Sequence, residues 1–544
     1  MADALTTGDL VARALAEAGG EPIFTLNGGH IWGLYLGAER RGIRMIDVRH
    51  EQTAGFAAEG WAKVTRRCGV AAVTAGPGVT NAMSAIAAAQ QNDSPVLFLG
   101  GRAPVARWGM GSLQELDHVA LVRSLTKSAA TVEAPEAAYG MTVAAITTAL
   151  GGRTGPTFLD VPIDVLFQSA EAPARAAEWQ IHRGELAFAD DVRRIAALLR
   201  ESERPAIVAG GSVWWARAED ELLRLAEAAG VPVVLNGMAR GMLPPDHALF
   251  ATRARGVALG EADLVLAIGV PLDFRLGFGQ PPAIAEGACV VYIDVEEDGR
   301  RQHRPAAATL HGELKTGLAA LAEAVRDVPH REAWQAHVAA ANRASQARDA
   351  ALAAHEGSPV HPARLVAEVE RYCDEDAIIV GDGGDFVSFA GRLIHRRRPG
   401  LWVDGGPYGC LGSGPGYALA AKLAHPDRQV VLLSGDGAFG FSAIEFDTLV
   451  RHRVPVVCVV GNNGIWALEK HPMQRLLGTS LLSDLAPGTR YDKVVEALGG
   501  HGELVDRPEE IGPALDRAFR SGLPACVNVL SDPDAEYPRS SVLM

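Results

Sequence analysis

The sequence predicts an α/β protein made of three domains, each with a parallel sheet of the Rossmann-like or flavodoxin-like kind. Short apolar runs of strand length alternate with longer Ala- and Leu-rich segments of helical character along the whole chain. Glycine or a polar turn follows many of these runs, as is typical of strands in such sheets. The length of 544 residues is enough for about three to four domains.

The apolar runs fall into three groups that define the predicted domains. The first domain, residues 1–168, contains the runs PIFTL, GVAAVTA, SPVLFLG and PTFLDVP, and the Ala/Pro-rich connection SAEAPARAAEW follows it. The second, residues 186–345, contains RPAIVAGG, VPVVLN, ADLVLAIG and CVVYIDV, and its last part is predicted to be a long helix that leads into a linker. The third, residues 358–544, contains DAIIVGDGG, QVVLLSGDG, VPVVCVVGNN and PACVNVL.

Composition excludes several classes of function. The net charge of −14 argues against nucleic acid as a partner, because phosphate binding needs basic surfaces. The six cysteines are scattered without a Cys-x-x-Cys pair, which fits neither a zinc site nor a disulfide framework. No stretch approaches the roughly 20 apolar residues of a membrane span, and no signal-peptide core follows the N-terminus. A cytoplasmic enzyme acting on a small molecule is therefore expected.

Two loops of the third domain carry the strongest chemical signal. SGDGAF (434–439) and GNNGIW (461–466) each follow an apolar strand run, so both are expected at the carboxyl edge of the sheet. Asp436 lies between two glycines, which let a phosphate approach the backbone. A carboxylate, the Asn463 amide oxygen and a backbone carbonyl suit Mg²⁺, with diphosphate oxygens completing the octahedron. Either loop alone would more often be a tight turn, but the two together favour a metal site.

This pair of loops resembles the thiamine diphosphate (ThDP) motif of the acetolactate synthase, benzoylformate decarboxylase and pyruvate decarboxylase superfamily. The resemblance covers essentially the whole chain and implies the ThDP-binding fold. It implies that Asp436, Asn463 and the backbone carbonyl of Ile465 bind Mg²⁺. It also makes the first domain the pyrimidine-binding domain, the second a central nucleotide-binding domain and the third the diphosphate-binding domain.

Glu51 is the second residue that the resemblance singles out. It begins the segment EQTAGFAAEGWAKV, at the place where the family has a glutamate that hydrogen-bonds N1′ of the aminopyrimidine. That chemistry requires a carboxylate, because the protonated ring must be stabilised before the cofactor can be activated. An isolated glutamate here would be explained by the helix dipole alone.

Further site residues follow from the same resemblance. Gln114 is similar to a family glutamine that faces the reacting carbon, and His30, in NGGH, is placed to shuttle a proton or else is a surface histidine. Leu411 falls where the family has an apolar residue beneath the cofactor, although it could also be a core leucine. The remaining predicted cofactor contacts are Gly29, Gly76, Asn81, Asp385, Gly409, Gly435, Gly437 and Ala438.

The central domain is expected to bind ADP or FAD. The run RARGVALGEADLVLAIG and the strand YIDV place Arg255 and Asp294 as candidate contacts, with Asp294 at a strand end suited to a ribose hydroxyl. A simple strand-terminating turn is an equally good explanation for Asp294.

Two branches of the superfamily compete for the function. The glycine pattern of GPYGCLGSGPGYALAA and the stretch GDGAFGFSAIEFDTL look closer to 2-hydroxyacyl-CoA lyases and oxalyl-CoA decarboxylases. Glu469 is predicted to handle protons beside the metal loop, where typical acetolactate synthases have an apolar residue; otherwise it is a solvent-facing helix residue. We therefore expect a 2-hydroxyacyl-CoA lyase that gives formyl-CoA and an aldehyde or ketone.

The alternatives remain open at this point. MARGMLPPDH, SDPDAEYPRSSVLM and the lack of a long CoA-covering tail favour an acetolactate synthase, which joins two 2-oxo acids and carries FAD. A non-catalytic subunit with the same fold is disfavoured because Glu51, Asp436 and Asn463 occur together. In this family the first- and third-domain halves of the site meet between subunits, so the expected partner is a second copy of the chain, in a homodimer or homotetramer.

Overall fold

The computed structural model describes residues 5–171, 179, 181, 184, 189–298 and 301–538. Most of the predicted connection SAEAPARAAEW, the predicted start of the second domain at residue 186 and the last six residues of the third lie outside the described residues. The three domain ranges therefore stay predictions. The three parallel sheets themselves are confirmed.

The first domain contains a six-stranded parallel sheet and a short antiparallel pair. Its strands are β1 (Leu5–Thr6), β2 (Ile23–Thr25), β3 (Met45–Asp47), β4 (Gly69–Val73), β5 (Val96–Arg102), β6 (Ser128–Thr131), β7 (Thr157–Pro162) and β8 (Ser169–Ala170). Its helices are α1 (Thr7–Ala18), α2 (Trp32–Arg40), α3 (Glu51–Thr65), α4 (Pro77–Gln91), α5 (His118–Val122), α6 (Ala138–Leu150) and α7 (Ile163–Leu166). The sheet order is β3-β2-β4-β5-β7-β6, and β1 pairs with β8.

The central domain contains a five-stranded parallel sheet. Its strands are β9 (Pro205–Ala209), β10 (Val233–Leu235), β11 (Leu264–Ile268), β12 (Cys289–Asp294) and β13 (Ala306–His311), in the order β10-β9-β11-β12-β13. Its helices are α8 (Ala189–Glu201), α9 (Gly211–Trp215), α10 (Glu219–Ala229), α11 (Arg255–Gly260) and α12 (Leu314–Ala324). The predicted long helix follows as α13 (Glu332–Ala353).

The third domain repeats the strand order of the first. Its strands are β14 (Ile378–Asp382), β15 (Trp402–Asp404), β16 (Val430–Gly435), β17 (Val457–Asn462), β18 (His501–Val505) and β19 (Ala525–Leu530), in the order β15-β14-β16-β17-β19-β18. Its helices are α14 (Pro362–Tyr372), α15 (Asp385–Leu393), α16 (Gly414–Ala424), α17 (Asp436–Ser442), α18 (Phe446–Arg451), α19 (Ala467–Leu477), α20 (Tyr491–Ala497) and α21 (Pro508–Arg520). Counted along the chain, both outer sheets have the order 2-1-3-4-6-5.

Every apolar run named in the sequence forms a strand of these sheets. The sequence did not predict β3, β6, β13, β15 and β18, which are all edge strands, nor the two-residue strands β1 and β8. Within the described ranges, no helix is long and apolar enough to cross a membrane.

The first and third domains pack closely through α3 and α16. A Cβ on Gly60 of α3 would lie 2.8 Å from the Cα of Tyr417, so only glycine permits this approach. Beside it, the buried Lys63 ammonium lies 2.9 Å from Glu59 and donates a hydrogen bond to the carbonyl of Asp404. The Tyr417 hydroxyl donates to the second oxygen of Glu59. A buried ion pair with every partner hydrogen-bonded fixes one arrangement of the two domains.

Candidate active site

The two glycine-rich loops of the third domain lie side by side. Strands β16 and β17 are neighbours, and their pairing places Gly435 opposite Gly461. Asp436 begins α17 directly after β16, while Asn463 follows the end of β17. One oxygen of Asp436 accepts a hydrogen bond from the Gly464 amide at 2.8 Å, which ties the two loops together.

These loops border a cavity that gathers most of the predicted diphosphate and metal residues. Nine of them line it: Asp385, Leu411, Gly435, Asp436, Gly437, Ala438, Asn463, Ile465 and Glu469. A Cβ on Gly437 would lie 2.4 Å from the Trp466 ring, so this glycine lets the indole close one wall. No first-domain residue is among the described residues that line the cavity.

Asp436 has the electrostatic character of a cation ligand. Its side chain is buried, and desolvation raises the pKa of its carboxyl to about 6, although amide hydrogen bonds partly offset this. Among the described residues, no lysine, arginine or histidine forms an ion pair with it, whereas most buried carboxylates of this protein have such a partner. A buried carboxylate without a counter-charge is costly unless a cation binds beside it. The donor set therefore fits Mg²⁺.

The other residues around the cavity are at helix starts or in the loop before α16. Asp385 is buried in the first turn of α15. Leu411 is half-buried and also borders a second cavity, a trench that Asn236 and Arg275 of the central domain line as well. It is therefore not a simple core leucine. Glu469 lies in the first turn of α19, exposed at the cavity wall. Gly409 has a φ of +76° and borders the same trench as Leu411.

Glu51 is in the first turn of α3, which begins after the N-cap residue His50. Its side chain is buried, and one oxygen accepts a hydrogen bond from the Asn81 amide at 3.0 Å. Asn81 is exposed on α4. The structure thus brings together two of the predicted first-domain residues and orients the carboxylate with an uncharged partner.

A second group of predicted residues lies where β2 and β4 end. His30 is buried, with its Nδ1 atom 3.4 Å from the Thr74 hydroxyl, so the alternative of a surface histidine is wrong. Desolvation lowers the pKa of His30. Gln114 has a φ of +59° and its side-chain oxygen is 3.5 Å from the same hydroxyl. Gly76 packs against Gln114, and Gly29 precedes His30 in a short 3₁₀ turn.

The residues around His30 in the first domain and those around Asp436 in the third occupy equivalent places in their sheets. In each outer domain the strand order reverses beside the first strand, between β2 and β4 and between β14 and β16. The loops after these four strands carry His30, Gly76, Asp385 and Asp436. Ligands of open parallel sheets bind in the crevice at such a reversal.

The central domain has a trench at its own reversal, between β9 and β11. Gly210 and Gly211 line one end, and Asn236, Gly237 and Arg275 continue it into the trench beside Leu411. Predicted Arg255 lies behind this wall and donates a hydrogen bond to the carbonyl of Arg275. It is Arg275, which the sequence did not single out, that borders the trench.

Predicted Asp294 is buried at the end of β12. Its carboxylate accepts from the next backbone amide at 2.8 Å and lies 3.8 Å from Arg301 and 3.9 Å from Arg153. Both guanidinium groups already have closer carboxylate partners, because Arg153 lies 2.7 Å from Asp298 and Arg301 lies 2.6 Å from Asp93. The ribose contact stays a prediction.

Three buried polar residues near the site were not identified from the sequence. Glu445 of the third domain accepts a hydrogen bond from the Arg49 amide, next to the start of α3. His118 and Asp160 form a buried pair behind Gly76. They were missed because their partners are distant along the chain. The only sequence signal was the position of His118 shortly after Gln114.

Comparison with known proteins agrees with this geometry. Three family models match the chain: the thiamine pyrophosphate enzyme N-terminal TPP-binding domain over residues 5–121, the central domain over 192–321 and the C-terminal TPP-binding domain over 382–529. The acetolactate synthase large subunit IlvG of Mycobacterium tuberculosis is 53% identical over 543 residues, which cover 100% of this chain and 98% of that protein.

Two relatives of the other branch also match over nearly the whole chain. Human 2-hydroxyacyl-CoA lyase 2 is 35% identical over 567 residues, covering 96% of this chain and 89% of the relative. The 2-hydroxyacyl-CoA lyase of Oryza sativa subsp. japonica is 30% identical over 550 residues, covering 97% and 95%. The family models and these whole-chain identities show that the chain belongs to the thiamine pyrophosphate enzymes and is a ThDP-dependent enzyme.

Proposed function

We propose that this enzyme joins two 2-oxo acids, as an acetolactate synthase does. The supporting observation is the 53% identity to a protein of that name along the entire chain. The first 2-oxo acid loses CO₂, and a new carbon–carbon bond joins its remainder to the carbonyl carbon of the second. The sequence motifs favoured the lyase branch instead. Those motifs are a few short segments, whereas whole-chain identity weighs every position that shapes the substrate site.

A 2-hydroxyacyl-CoA lyase is the second candidate, and one observation favours it. Glu469 places a carboxylate at the wall of the cavity that contains Asp436 and Leu411. A general acid at this position suits the release and protonation of a one-carbon thioester product. The relatives of that name are 30–36% identical to this chain.

In either reaction the chain's own residues have the same tasks. Bound ThDP supplies a nucleophilic carbon and an electron sink. Asp436, Asn463 and the Ile465 carbonyl would hold Mg²⁺ and, through it, the diphosphate. Glu51 would hold a proton at the pyrimidine nitrogen, and Leu411 would support the cofactor from beneath.

The polar first-domain residues would face the reacting carbon. His30 is neutral near pH 7 because its pKa is lowered, so it would accept rather than donate a proton there. The Gln114 amide would orient a substrate oxygen.

We further propose FAD in the central domain. Two adjoining cavities, one beside the Gly210–Gly211 turn and one beside Leu411, share Asn236, Gly237 and Arg275 as lining residues, an arrangement that supports an extended dinucleotide. ADP, expected for the lyase, is the smaller alternative.

Two measurements test these proposals together. The purified enzyme with ThDP and Mg²⁺ should release CO₂ from pyruvate and form acetolactate, and denaturation should release a yellow nucleotide with a flavin spectrum. A colourless adenine nucleotide, together with formyl-CoA formation from a 2-hydroxyacyl-CoA, would establish the lyase instead.

Glu469→Gln tests whether the cavity carboxylate relays protons. For the lyase, kcat for cleavage of a 2-hydroxyacyl-CoA should fall by about 10²–10⁴-fold, typical of losing a general acid or base, with a smaller change in KM because the proton moves only along the reaction path. ThDP affinity should not change. Glu496→Gln, in the same domain but paired with Lys493 on α20, is the matched control. A native rate for Glu469→Gln would make this residue ordinary helix surface and remove the main support for the lyase.

We propose that a second copy of the chain completes the site. The cavity around Asp436 is lined by third-domain residues, while Glu51 and Gln114 belong to the first. Exposed apolar side chains occur in both halves: Trp108, Met110 and Leu113 closely precede Gln114 in the sequence, Phe441 is in α17, and Leu476, Leu477 and Leu481 are at or after the end of α19. Met110 and Leu113 are 76% and 77% exposed, and reciprocal pairing of the two faces would bury both.

Hybrid enzymes test this assembly. Glu51→Gln and Asp436→Ala proteins should each be inactive. After mixing with subunit exchange, one of the two sites in each hybrid dimer contains no substitution. The activity per site should therefore be about a quarter of native if exchange is random, and about a half if every dimer is a hybrid. Mixing Glu51→Gln with itself is the control. Hybrids that form, as shown by mass, yet stay inactive would contradict a shared site.

A further inference from the structure

A buried histidine stands behind the turn that carries the first-domain half of the site. Gly76 is the N-cap of α4, with a φ of +58°. A Cβ on Gly76 would lie 2.9 Å from the Cβ of Gln114, so the position of this turn determines where Gln114 packs. The same turn begins the helix that carries Asn81, the partner of Glu51.

The Gly76 amide fixes the protonation of His118. It donates a hydrogen bond to His118 Nε2 at 2.8 Å. Because a backbone amide only donates, Nε2 must have a free lone pair, and the imidazole proton is on Nδ1. That nitrogen lies 3.0 Å from Asp160 Oδ2 and donates to it. The carboxylate thus selects the tautomer that can accept from Gly76.

The surroundings keep this arrangement away from solvent and ligands. His118 and Asp160 are fully buried, and the His118 ring packs edge-on against Phe158. Arg102 donates to the same Asp160 oxygen at 2.9 Å and balances its charge. Two further ionisable groups are near His118: His30, whose pKa is lowered, and Asp117, which precedes His118 and lies 3.8 Å from Arg102. His118 is buried beneath the turn, so any effect on the reaction must pass through Gly76.

We propose that His118 is a positioning residue of this enzyme. Held in one tautomer by Asp160, it anchors the Gly76 turn and thereby sets the placement of Gln114 and of the Asn81–Glu51 pair. Its essential property is a buried hydrogen-bond acceptor at Nε2, not its ability to carry a proton.

Three variants test this role. His118→Leu removes the acceptor, and we expect amide exchange at Gly76 to rise at least about tenfold and turnover to fall by about 10²-fold, the effect of a displacement near 1 Å. His118→Gln keeps an acceptor oxygen and should restore Gly76 protection and turnover to within about threefold of native. Thr157→Val, which removes a buried hydrogen bond on the same strand as Asp160, should lower Tm with neither effect.

The readouts separate positioning from general loss of stability. Equal turnover in His118→Leu and Thr157→Val with Gly76 still protected would overturn the proposal. If His118→Leu does not fold, His118→Gln is sufficient as a test. A more than tenfold loss of turnover in His118→Gln, with the Gly76 amide still protected, would contradict the proposal because a hydrogen-bond acceptor would not be enough. The turnover measurement depends on the proposed function, the condensation of 2-oxo acids. Amide exchange and ThDP affinity do not depend on it, so they report on the Gly76 turn whatever the substrate is.

Discussion

Asp436→Ala should abolish retention of Mg²⁺ and ThDP while the three domains stay folded. The carboxylate is buried with no cationic partner among the described residues, so it is arranged for a cation that the variant can no longer bind. Metal and ThDP content after gel filtration measures the loss. Asp447→Ala, which removes a partly exposed aspartate of the same domain, is the control. Native affinity in the Asp436 variant would mean that the metal site is elsewhere.

The cofactor-free protein gives a second test of the same residue. The folded-state pKa of Asp436, raised to about 6, exceeds the unfolded value near 3.9. The contribution of this carboxyl to native stability is therefore greatest below about pH 4 and falls as the pH rises through 6, by up to about 3 kcal/mol. Cofactor-free Asp436→Ala should lack this loss, so the difference in Tm between the two proteins should shift in favour of the variant from pH 4 to 8.

Glu51→Gln should lower kcat by about 10²–10⁴-fold and leave ThDP bound. The amide is similar in size and can still accept the hydrogen bond from Asn81, so α3 and its packing against α16 should not change. It cannot stabilise a protonated pyrimidine with a negative charge. Calorimetry measures ThDP affinity and steady-state kinetics the turnover.

Asn81→Ala is the comparison for this experiment, because it frees the Glu51 carboxylate without removing its charge. We expect a smaller loss of kcat, about tenfold, from weaker orientation. If Glu51→Gln were no slower than Asn81→Ala, the carboxylate would have no role in activating the cofactor.

The sequence predicted the central strands and missed every edge strand of the three parallel sheets except β10, for a physical reason. Central strands such as β16 and β17 are covered on both faces and read as unbroken apolar runs. The edge strand β6 has no buried residue, and only one residue of β18 is buried. Such segments lack both an apolar run and a clear alternation, so only pairing with a neighbour makes them strands.

Site prediction had a similar limit. Asp436 and Asn463 could be found because glycine-rich loops after apolar runs mark strand ends, and strand ends of a parallel sheet converge. His118 and Asp160 could not, because nothing local links a helix-start histidine to a carboxylate on a later strand. Arg275 was missed in favour of Arg255 because which of the two guanidinium groups reaches the cavity depends on side-chain directions that only the fold determines.

The identical strand order of the outer sheets has a consequence for how this architecture changes its chemistry. Two sheets with one strand order offer the same crevice twice, and each crevice has its own side chains. The His30 imidazole and the Gln114 amide lie at one, and the carboxylates of Asp385 and Asp436, the second of which we propose binds a metal, lie at the other. Specialisation is therefore confined to the loops at the strand ends, and the buried strands beneath are free to conserve stability. Exchanging a strand-end loop between relatives should alter substrate preference with little effect on unfolding, whereas exchanging a central strand should do the reverse.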